Sequence, residues 1–390
     1  MKKKFLDLLN QPITNSYLSS INKKNIRQEY FYNLSVMFNT ENYLVSLSEP
    51  VDPKKQYTDK YAHRASQSIT MNKSFKSVAN KLKSRFKPNL SMEIGSNDGV
   101  FLKNFKKNKI IAVEPCLNLA KITKKMGYLT YPKFWNKNLA NKILKKKSKF
   151  DLIYSANTIS HIPDLKETFD AVYKSLSNDG VFVFEDPYLG SVIQMNSYDQ
   201  FYDEHVHVFS LIAISNLLKK SKLKVFDVEL LNTHGGSIRV YVSNNQNIKE
   251  TLEVKKILKK EKKLFSTSSL ESFKKNVFKS KLDLISKINH IKKQGYKIYG
   301  IGAPSRAATL ICYTGLDENM VSAILEVKGS SKIGKYMPGT KIPVINENEI
   351  KYKNLKYLIL FSWHIKRDLK KIFRKKGFKG KFIALFQIAK

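Results

Sequence analysis

The chain is poor in cysteine, glycine and proline, and each shortage excludes a class of protein. Its 390 residues include 2 Cys, 16 Gly and 11 Pro. Cys116 and Cys312 lie far apart and are too few for a disulfide framework or a four-ligand zinc site. The Gly and Pro content is too low for a fibrous or low-complexity protein, and 42% hydrophobic residues indicate a globular chain with more than one core.

Long hydrophobic runs are also missing. The longest, "YLILFSW" at 357–363, is far shorter than the roughly 18 residues that a membrane span requires. The N-terminus begins with a basic cluster, but Asp7 and Asn10 interrupt the apolar residues that a signal peptide would need. We therefore expect a cytoplasmic protein without a membrane span, in keeping with the low cysteine content.

Acidic residues are scarce, since 32 Asp and Glu face 70 Lys and Arg and give a net charge of +38. Such a charge favours a nucleic-acid partner. However, the lysines are spread along the chain in segments such as "LEVKKILKKEKKLF", where Leu and Ile recur at helical spacing and Lys covers the other face. Without arginine clusters or interleaved aromatic residues, the pattern indicates solvated helix faces, and we expect no nucleic-acid partner.

The order of the elements predicts an α/β protein. Residues 1–75 show no clear periodicity and are expected to form a small N-terminal module. Strand and helix signals alternate over 76–245, which predicts a parallel sheet with helices on both faces. The last part, 246–390, begins with a lysine-rich helical connector and continues with "YGIGAPSRAATL", a second strand, glycine turn and helix.

The stretch "MEIGSNDGVF" predicts a ligand site where a strand turns into a helix. Gly95 and Gly99 lie at the turn, so backbone N–H groups face the ligand. Glu114 follows about 20 residues later at the end of a buried strand, where an acidic side chain accepts from both ribose hydroxyls. A dinucleotide site has a further glycine between the other two, and Asn97 stands there instead.

This turn therefore favours a ligand without a pyrophosphate, whose ammonium group suits Asp98. S-adenosylmethionine meets that description, although the two glycines can also simply make a tight turn. The next strand ends near "ANTISHIPDL", which brings Asn157 and His161 to the same crevice. The predicted cofactor residues are Glu93, Gly95, Asn97, Asp98, Gly99, Glu114 and Asn157.

The stretch "YDEHVHVFS" at 202–210 contains two of the seven histidines. Methylation of a carbon next to a ketone requires a base that removes a weakly acidic proton and a donor for the resulting oxyanion. His205 suits the first role, with Glu204 or Asp203 to orient it. Tyr202 suits the second, assisted by His161.

His207 alternates with Val206 and Val208 in a strand-like pattern, which predicts a core histidine. A metal site is the alternative use for two histidines and two acids. The stretch offers neither a helical ligand spacing nor a third ligand, so we expect no metal.

The stretches quoted above, with "FLDLLNQPITNSYL", "AVEP", "FVFEDPYL", "THGGSIRVYV" and "KIGKYMPGTKIPV", occur along nearly the whole chain. Together they resemble the sugar-nucleotide C-methyltransferases that act on 4-keto deoxysugars. The resemblance implies a class I S-adenosylmethionine domain in the centre, a C-terminal Rossmann-like domain that holds the nucleotide sugar, and an N-terminal zinc module.

The resemblance also implies residue roles. Tyr202, Glu204, His205 and His161 match the active site, with His205 as the base. The substrate residues that it implies are His63, Arg239, Ala303, Ser305, Arg306, Thr309, Lys332 and Tyr336. The substrate is then a nucleotide-diphosphate 4-keto sugar, used in deoxysugar, polysaccharide or glycoconjugate biosynthesis, and the enzyme is expected to be a monomer.

The sequence departs from this family in its N-terminal module. No cysteine precedes Cys116, and His63 is the sole histidine of residues 1–75, so tetrahedral zinc cannot be built there. We expect the module to be held by its own packing and by docking on the central domain. Two alternatives stay open: a methyltransferase acting on nucleic acid or another small molecule, and a non-catalytic protein that binds S-adenosylmethionine.

Overall fold

The structure is a computed structural model that describes residues 1–59 and 61–386. Its N-terminal part contains short helices between antiparallel strands. The elements are β1 (Lys2–Pro12), α1 (Lys23–Gln28), β2 (Phe31–Asn39), β3 (Val45–Leu47) and α2 (Pro53–Gln56).

The N-terminal module is an antiparallel sheet, which the absence of periodicity in the sequence did not predict. β1 pairs with β2, and β2 pairs with β3. The register of β1 and β2 shifts between Lys4 and Leu6 and again between Asp7 and Asn10. Because each shift moves the following side chains to the other face, the alternation that marks a strand is lost from the sequence.

The central part alternates strands and helices as predicted. Its elements are α3 (Ile69–Phe86), β4 (Ser91–Ile94), β5 (Ile110–Val113), α4 (Leu117–Lys125), β6 (Leu129–Tyr131), α5 (Lys137–Leu144), β7 (Phe150–Ala156), α6 (Leu165–Ser175), β8 (Leu176–Pro187), α7 (Leu189–Met195), β9 (His207–Val208), α8 (Leu211–Lys219), β10 (Lys224–Leu231) and β11 (Ser237–Ser243). The proposed boundary after residue 75 falls inside α3, and the one after residue 245 follows β11.

The central sheet has the strand order β10-β11-β8-β7-β4-β5-β6. The predicted parallel sheet is present from β8 to β6, and at its other edge β11 runs antiparallel to both β10 and β8. A tight turn at 232–236, where His234 and two glycines have positive φ, connects β10 directly to β11. Such a short connection permits only an antiparallel pair.

The C-terminal part follows two long helices with a parallel sheet. Its elements are α9 (Leu252–Leu264), α10 (Thr267–Lys293), β12 (Ile298–Ile301), α11 (Ser305–Thr314), β13 (Ala323–Glu326), β14 (Val344–Asn346), β15 (Tyr357–Leu360), α12 (Lys366–Lys375) and β16 (Lys381–Ala384). The strands are arranged in the order β14-β13-β12-β15-β16 and all pair in parallel.

Apolar packing joins the N-terminal module to the rest of the chain. β3 pairs with β9 of the central part, and the ring of Phe5 stacks on that of Phe273 from α10 at 5.5 Å between centroids. Phe5 also meets Phe201 edge-on. One continuous apolar cluster contains Phe5, Leu8, Leu34, Val36, Phe273, Val277, Ala307 and Ile311. None of the helices in residues 1–59 and 61–386 is long and apolar enough to span a membrane.

Candidate active site

The turn after β4 is shaped by glycine. Gly95 has φ +75°, and a Cβ atom at this position would lie 2.1 Å from Oγ1 of Thr158, which follows β7. Gly99 closes the turn with φ +85°. The two positions therefore require glycine for conformational reasons, and Gly95 also because the strand ends approach closely.

Glu114 lies beside this turn at the end of β5. Its carboxylate accepts hydrogen bonds from the backbone N–H groups of Asn97 at 2.7 Å and of Cys116 at 2.9 Å. Burial raises the pKa of Glu114 to about 6, and the two backbone donors act in the opposite direction. The carboxylate is thus held at the C-terminal edge of the parallel strands, where ligands bind in such sheets.

The segment 63–66 lies across the turn. The Asn97 side chain accepts from the N–H of Ala65 at 3.0 Å and donates to the carbonyl of His63 at 3.3 Å. Asp98 accepts from both the N–H and the hydroxyl of Ser66. His63, predicted to contact the substrate, therefore belongs to a segment that covers the cofactor turn.

Glu93 and Asn157 complete the predicted cofactor set. Glu93 is 3% exposed within β4, and burial, with Glu114 and Asp98 nearby, raises its pKa. Asn157 follows β7 with φ +49°, and its N–H donates to the carbonyl of Glu185 at 2.7 Å. The structure thus gathers all the predicted cofactor residues at the ends of β4, β5 and β7.

His205 has a defined tautomer. Its Nδ1 lies 2.7 Å from the carbonyl oxygen of Gln200, which can only accept, so Nδ1 carries the proton. Nε2 is then an acceptor, and the Tyr202 hydroxyl at 2.9 Å donates to it. The ring is 5% exposed, and burial lowers its pKa well below the ordinary value, followed by the nearby His161. His205 is therefore neutral, with its basic nitrogen held against a phenol.

The prediction that Glu204 or Asp203 orients His205 is wrong, since the Gln200 carbonyl does so. Asp203 accepts from the N–H of Thr14 at 3.0 Å and from its hydroxyl at 2.7 Å. Glu204 accepts from the amide of Asn15 at 3.0 Å. Burial raises the pKa of both carboxyl groups, and the charge of Asp203 raises that of Glu204 further. Both acids bind the chain that follows β1.

His161 packs beside His205 with 5.4 Å between ring centroids. Its Nδ1 lies 2.8 Å from the hydroxyl of Tyr57. Its Nε2 is buried and has no hydrogen-bond partner among the residues that the structure describes. Burial lowers the pKa of His161 to about 3, and His63 contributes in the same direction. We refer to His161, Tyr202 and His205 as the histidine cluster.

The C-terminal residues implied by the resemblance group around the start of α11. The Ala303 carbonyl accepts from the hydroxyl of Tyr17 at 2.9 Å and from the Lys332 ammonium at 2.5 Å. The Ser305 hydroxyl donates to the side-chain oxygen of Asn15 at 2.8 Å. Tyr336 lies further along, where its backbone pairs with Leu18.

Asn15 connects this group to the acids of the central part. Its amide nitrogen donates to Glu204 while its oxygen accepts from Ser305. One side chain of the N-terminal module thus touches a predicted active-site acid and the first residue of α11.

Two comparisons with known proteins bear on this arrangement. A family model described as a methyltransferase domain matches residues 61–228, and one described as a C-methyltransferase C-terminal domain matches residues 232–386. C-methyltransferase NovU of Streptomyces niveus is 26% identical over 302 residues, which are 75% of this chain and 71% of the relative. Together the two models and this relative indicate an S-adenosylmethionine-dependent C-methyltransferase.

Solved structures also align with part of the chain. An S-adenosylmethionine-dependent methyltransferase from Clostridium acetobutylicum is 16% identical and covers 44% of this chain and 91% of its own, with a TM-score of 0.33. A possible histamine N-methyltransferase from Thermotoga maritima is 19% identical and covers 44% of this chain and 89% of its own, with a TM-score of 0.35.

The residues at the β4 turn fit the cofactor of a C-methyltransferase. Glu114 offers a buried carboxylate to the ribose hydroxyls, and Asp98 offers one to the amino group. A pocket beside Asp98 is lined by Arg64, Ser66, Gly99 and others. Ser66 donates its N–H and its hydroxyl to Asp98, and the remaining lone pairs of this carboxylate are left for the cofactor's amino group.

Two predicted substrate residues of the C-methyltransferase lie elsewhere. Arg239 is 6% exposed and forms ion pairs with Glu185 at 2.8 Å and Glu229 at 3.1 Å on the neighbouring strands. Arg239 is paired with these acids, and not free for substrate, because it lies on the inner strand β11, where burying an unpaired cation would be costly. Thr309 is completely buried in α11, so packing hides its hydroxyl from a ligand.

Arg306 has a different role from the one predicted. It donates to the carbonyl of His234, contacts His364, lies 3.6 Å from Asp199 and stacks over Trp363. Trp363 donates to the same Asp199 at 2.7 Å. Asp199 directly precedes Gln200, whose carbonyl binds His205. Arg306 and Trp363 of the C-terminal domain therefore support the histidine cluster by holding Asp199.

Gln200, Tyr57 and Asn15 contact the predicted active-site residues but were not predicted from the sequence. Gln200 acts through its backbone, which leaves no residue-type signal. Tyr57 comes from the N-terminal part, about a hundred residues before its partner His161. Asn15 lies in the quoted stretch "FLDLLNQPITNSYL", and its position between two polar partners is visible in the folded chain alone.

Proposed function

We propose that this C-methyltransferase adds a methyl group to the carbon next to the ketone of a nucleotide-linked 4-keto sugar. The methylated sugar would be used in the biosynthesis of a deoxysugar, polysaccharide or glycoconjugate. The observation that supports this most is the tautomer of His205, whose Nδ1 is fixed by the Gln200 carbonyl and whose Nε2 is left basic. C-methylation needs such a base, whereas transfer to an amine or a thiolate does not.

His205 removes the proton through Nε2. The C–H electron pair becomes that of an enolate, and the proton stays on the ring, which is then an imidazolium with Nδ1–H still bonded to Gln200. The low pKa of the buried ring limits its strength as a base, so the enolate must be stabilised as it forms.

Two groups can supply that stabilisation. The Tyr202 hydroxyl donates to Nε2 at rest and can turn to the enolate oxygen when substrate takes its place. His161 bonds Tyr57 through Nδ1, and its buried Nε2, which has no partner within residues 1–59 and 61–386, can donate to the same oxygen as Nε2–H. Donors aimed at a developing oxyanion in a buried site are worth roughly 2.7–4 kcal/mol each.

When bound, S-adenosylmethionine would supply an electrophilic methyl group on a sulfonium for the enolate carbon, and S-adenosylhomocysteine would be released. The chain orients both partners. Glu114 and Asp98 hold the cofactor at the β4 turn, and segment 63–66 excludes water above it. Ala303, Ser305 and Lys332 hold the nucleotide diphosphate at the start of α11, where N–H groups and the ammonium favour an anion.

Isotope exchange tests the proposal directly. The enzyme is incubated with a panel of 4-keto nucleotide sugars in D₂O, first with S-adenosylhomocysteine and then with S-adenosylmethionine. With S-adenosylhomocysteine we expect deuterium to enter at the carbon next to the ketone, because proton removal precedes methyl transfer. With S-adenosylmethionine we expect a mass gain of about 14 daltons, which is one added CH₂.

His205→Asn serves as the test variant and His290→Asn, on the exposed end of α10, as its matched control. We expect His205→Asn to lower both exchange and turnover by at least about a hundredfold while S-adenosylhomocysteine still binds as in the wild type. Turnover within threefold of wild type would exclude His205 as the base. Failure of every keto sugar to exchange or gain mass would exclude the substrate class.

A further inference from the structure

The stretch "FVFEDPYL" places two acids side by side at the end of β8, and the fold uses them on opposite faces of the sheet. Glu185 accepts from the Tyr154 hydroxyl at 2.7 Å and from Arg239 at 2.8 Å. Because successive side chains of a strand point to opposite faces, Asp186 is turned away from that network. Asp186 is completely buried and was not among the predicted site residues.

Asp186 binds the turn that carries His161. Its Oδ1 accepts from the N–H of Ser160 at 3.2 Å and from the hydroxyl of the same residue at 2.6 Å. Ser160 is itself completely buried, and it directly precedes His161 in the short helical turn Ile159–His161. Because one bond holds the backbone and the other holds the side chain, the chain next to His161 is fixed from the end of β8.

The other oxygen of Asp186 is not satisfied in the same way. Oδ2 is buried and has no hydrogen-bond partner in the described part of the chain, residues 1–59 and 61–386. Burial raises the pKa of Asp186 to about 7, and the bonds from Ser160 act in the opposite direction. A buried polar atom without a partner costs about 1–3 kcal/mol. Stability alone is therefore a poor explanation of this aspartate, and what its Oδ1 holds is a better one.

A second contact holds the same segment after His161. Nε2 of His207 lies 3.3 Å from the carbonyl oxygen of Pro163, which can only accept, so Nε2 carries the proton. The segment is thus fixed on both sides of His161, at Ser160 from β8 and at Pro163 from β9. The fold therefore restrains the backbone that presents this histidine more tightly than a surface loop would be restrained.

We propose that Asp186 is a positioning residue, which holds the turn Ile159–His161 so that Nε2–H of His161 meets the oxyanion of the enolate. The inference rests on the proposed function, in which this nitrogen donates to the forming charge. A donor acts on an oxyanion at a distance of about 3 Å, and a displacement of about 1 Å can cost roughly a hundredfold in rate. Because Asp186 is bonded to Ser160, its effect on the reaction passes through His161.

The kinetics of methylation separate this role from a general loss of structure. Asp186→Ala removes both bonds to Ser160, and Asp179→Ala, an exposed acid near the other end of β8, is the matched control. We expect Asp186→Ala to lower kcat at least about tenfold and to leave KM for the keto sugar within about threefold, because the oxyanion forms only in the transition state. Asp179→Ala should keep the wild-type kcat. Asp186→Asn keeps an acceptor for Ser160 and should recover kcat to within about threefold of wild type.

A double-mutant cycle tests whether the effect passes through His161. In a His161→Ala background we expect Asp186→Ala to change kcat by less than about twofold, because the donor that it positions is already gone. A further tenfold loss in that background would overturn the inference. If Asp186→Ala does not fold, Ser160→Ala decides, since it removes the hydroxyl bond alone. It should lower kcat roughly fivefold, and an unchanged kcat would overturn the inference.

¹⁵N NMR of protein labelled on histidine reads the state of His161 without any substrate. The Tyr57 hydroxyl donates to Nδ1, so the wild type should show one tautomer with the proton on Nε2. We expect Asp186→Ala to show both tautomers, because the ring is no longer held against Tyr57, and His161→Ala assigns the signals. Spectra identical to those of the wild type would overturn the inference and leave the proposed function standing. If the wild type methylates no keto sugar, the proposed function fails, and the spectra still decide whether Asp186 holds His161.

Discussion

Replacing Gly95 with Ala tests whether the cofactor turn requires glycine for its φ angle or for the close contact with Thr158. Gly315, which ends α11, has nearly the same conformation, with φ +74° against +75° for Gly95. A Cβ at Gly315 would meet nothing within 4 Å, whereas one at Gly95 would lie 2.1 Å from Thr158 Oγ1 and 2.8 Å from its Cβ. The pair separates backbone strain from steric overlap.

The expected magnitudes differ accordingly. Gly315→Ala carries only the cost of a left-handed alanine, about 1–2 kcal/mol in the free energy of unfolding. Gly95→Ala adds the displacement of the Thr158 strand end, roughly 1–3 kcal/mol more. Because this strand end also carries Asn157, we expect affinity for S-adenosylhomocysteine to fall at least about tenfold in Gly95→Ala alone, the equivalent of 1.4 kcal/mol.

Urea unfolding gives the stabilities, and calorimetric titration with S-adenosylhomocysteine gives the affinities. Thr158→Gly, introduced into Gly95→Ala, should restore part of the affinity because the colliding atoms belong to the Thr158 side chain. The reasoning is refuted if the two alanine variants lose equal stability and both retain full affinity, since the strand contact would then have no effect.

Three further outcomes are expected. Burial lowers the pKa of His207 to about 4 from its ordinary value of 6.5. The folded state therefore loses stability as pH falls below 6.5, because the unfolded chain takes up a proton that the buried ring does not. In denaturant titrations the wild type should lose about 2 kcal/mol of unfolding free energy between pH 6.5 and 5 relative to His207→Asn, and a constant difference would contradict this. Thr14→Val removes the hydroxyl donor to Asp203 and should cost about 1.5–3 kcal/mol of unfolding free energy, with a loss under 0.5 kcal/mol as the contrary result. Asn15→Leu removes the donor to Glu204 and should lower kcat roughly tenfold, with the exposed Asn10→Leu as control and an unchanged kcat as the opposing outcome.

The strand and helix pattern of the central and C-terminal parts was predictable because their strands are short, buried and separated by clear helices. The turn at Gly95 and the acid at Glu114 followed from spacing alone, and the structure brings them together. The N-terminal sheet was not predictable, since its register shifts erase the alternation of side chains.

Within the site, contacts that depend on backbone atoms or distant segments escaped prediction. The carbonyl of Gln200 orients His205, although two carboxylates stand closer to that histidine in the sequence. Arg239 was assigned to the substrate through the family resemblance, but its strand places it between two acidic neighbours. Residue type indicated the chemistry available, and topology decided which partner each group meets.

The stacking of Phe5 on Phe273 has a consequence for synthesis of the chain. The ribosome completes the first strand long before the helix that covers it, and at 5–20 residues per second the interval is on the order of ten to fifty seconds. Throughout that time the side of Phe5 that Phe273 covers is left open to water or to a chaperone. The earliest segment to be made is therefore among the last to find its native place, and nascent chains interrupted before residue 273 should be prone to aggregate.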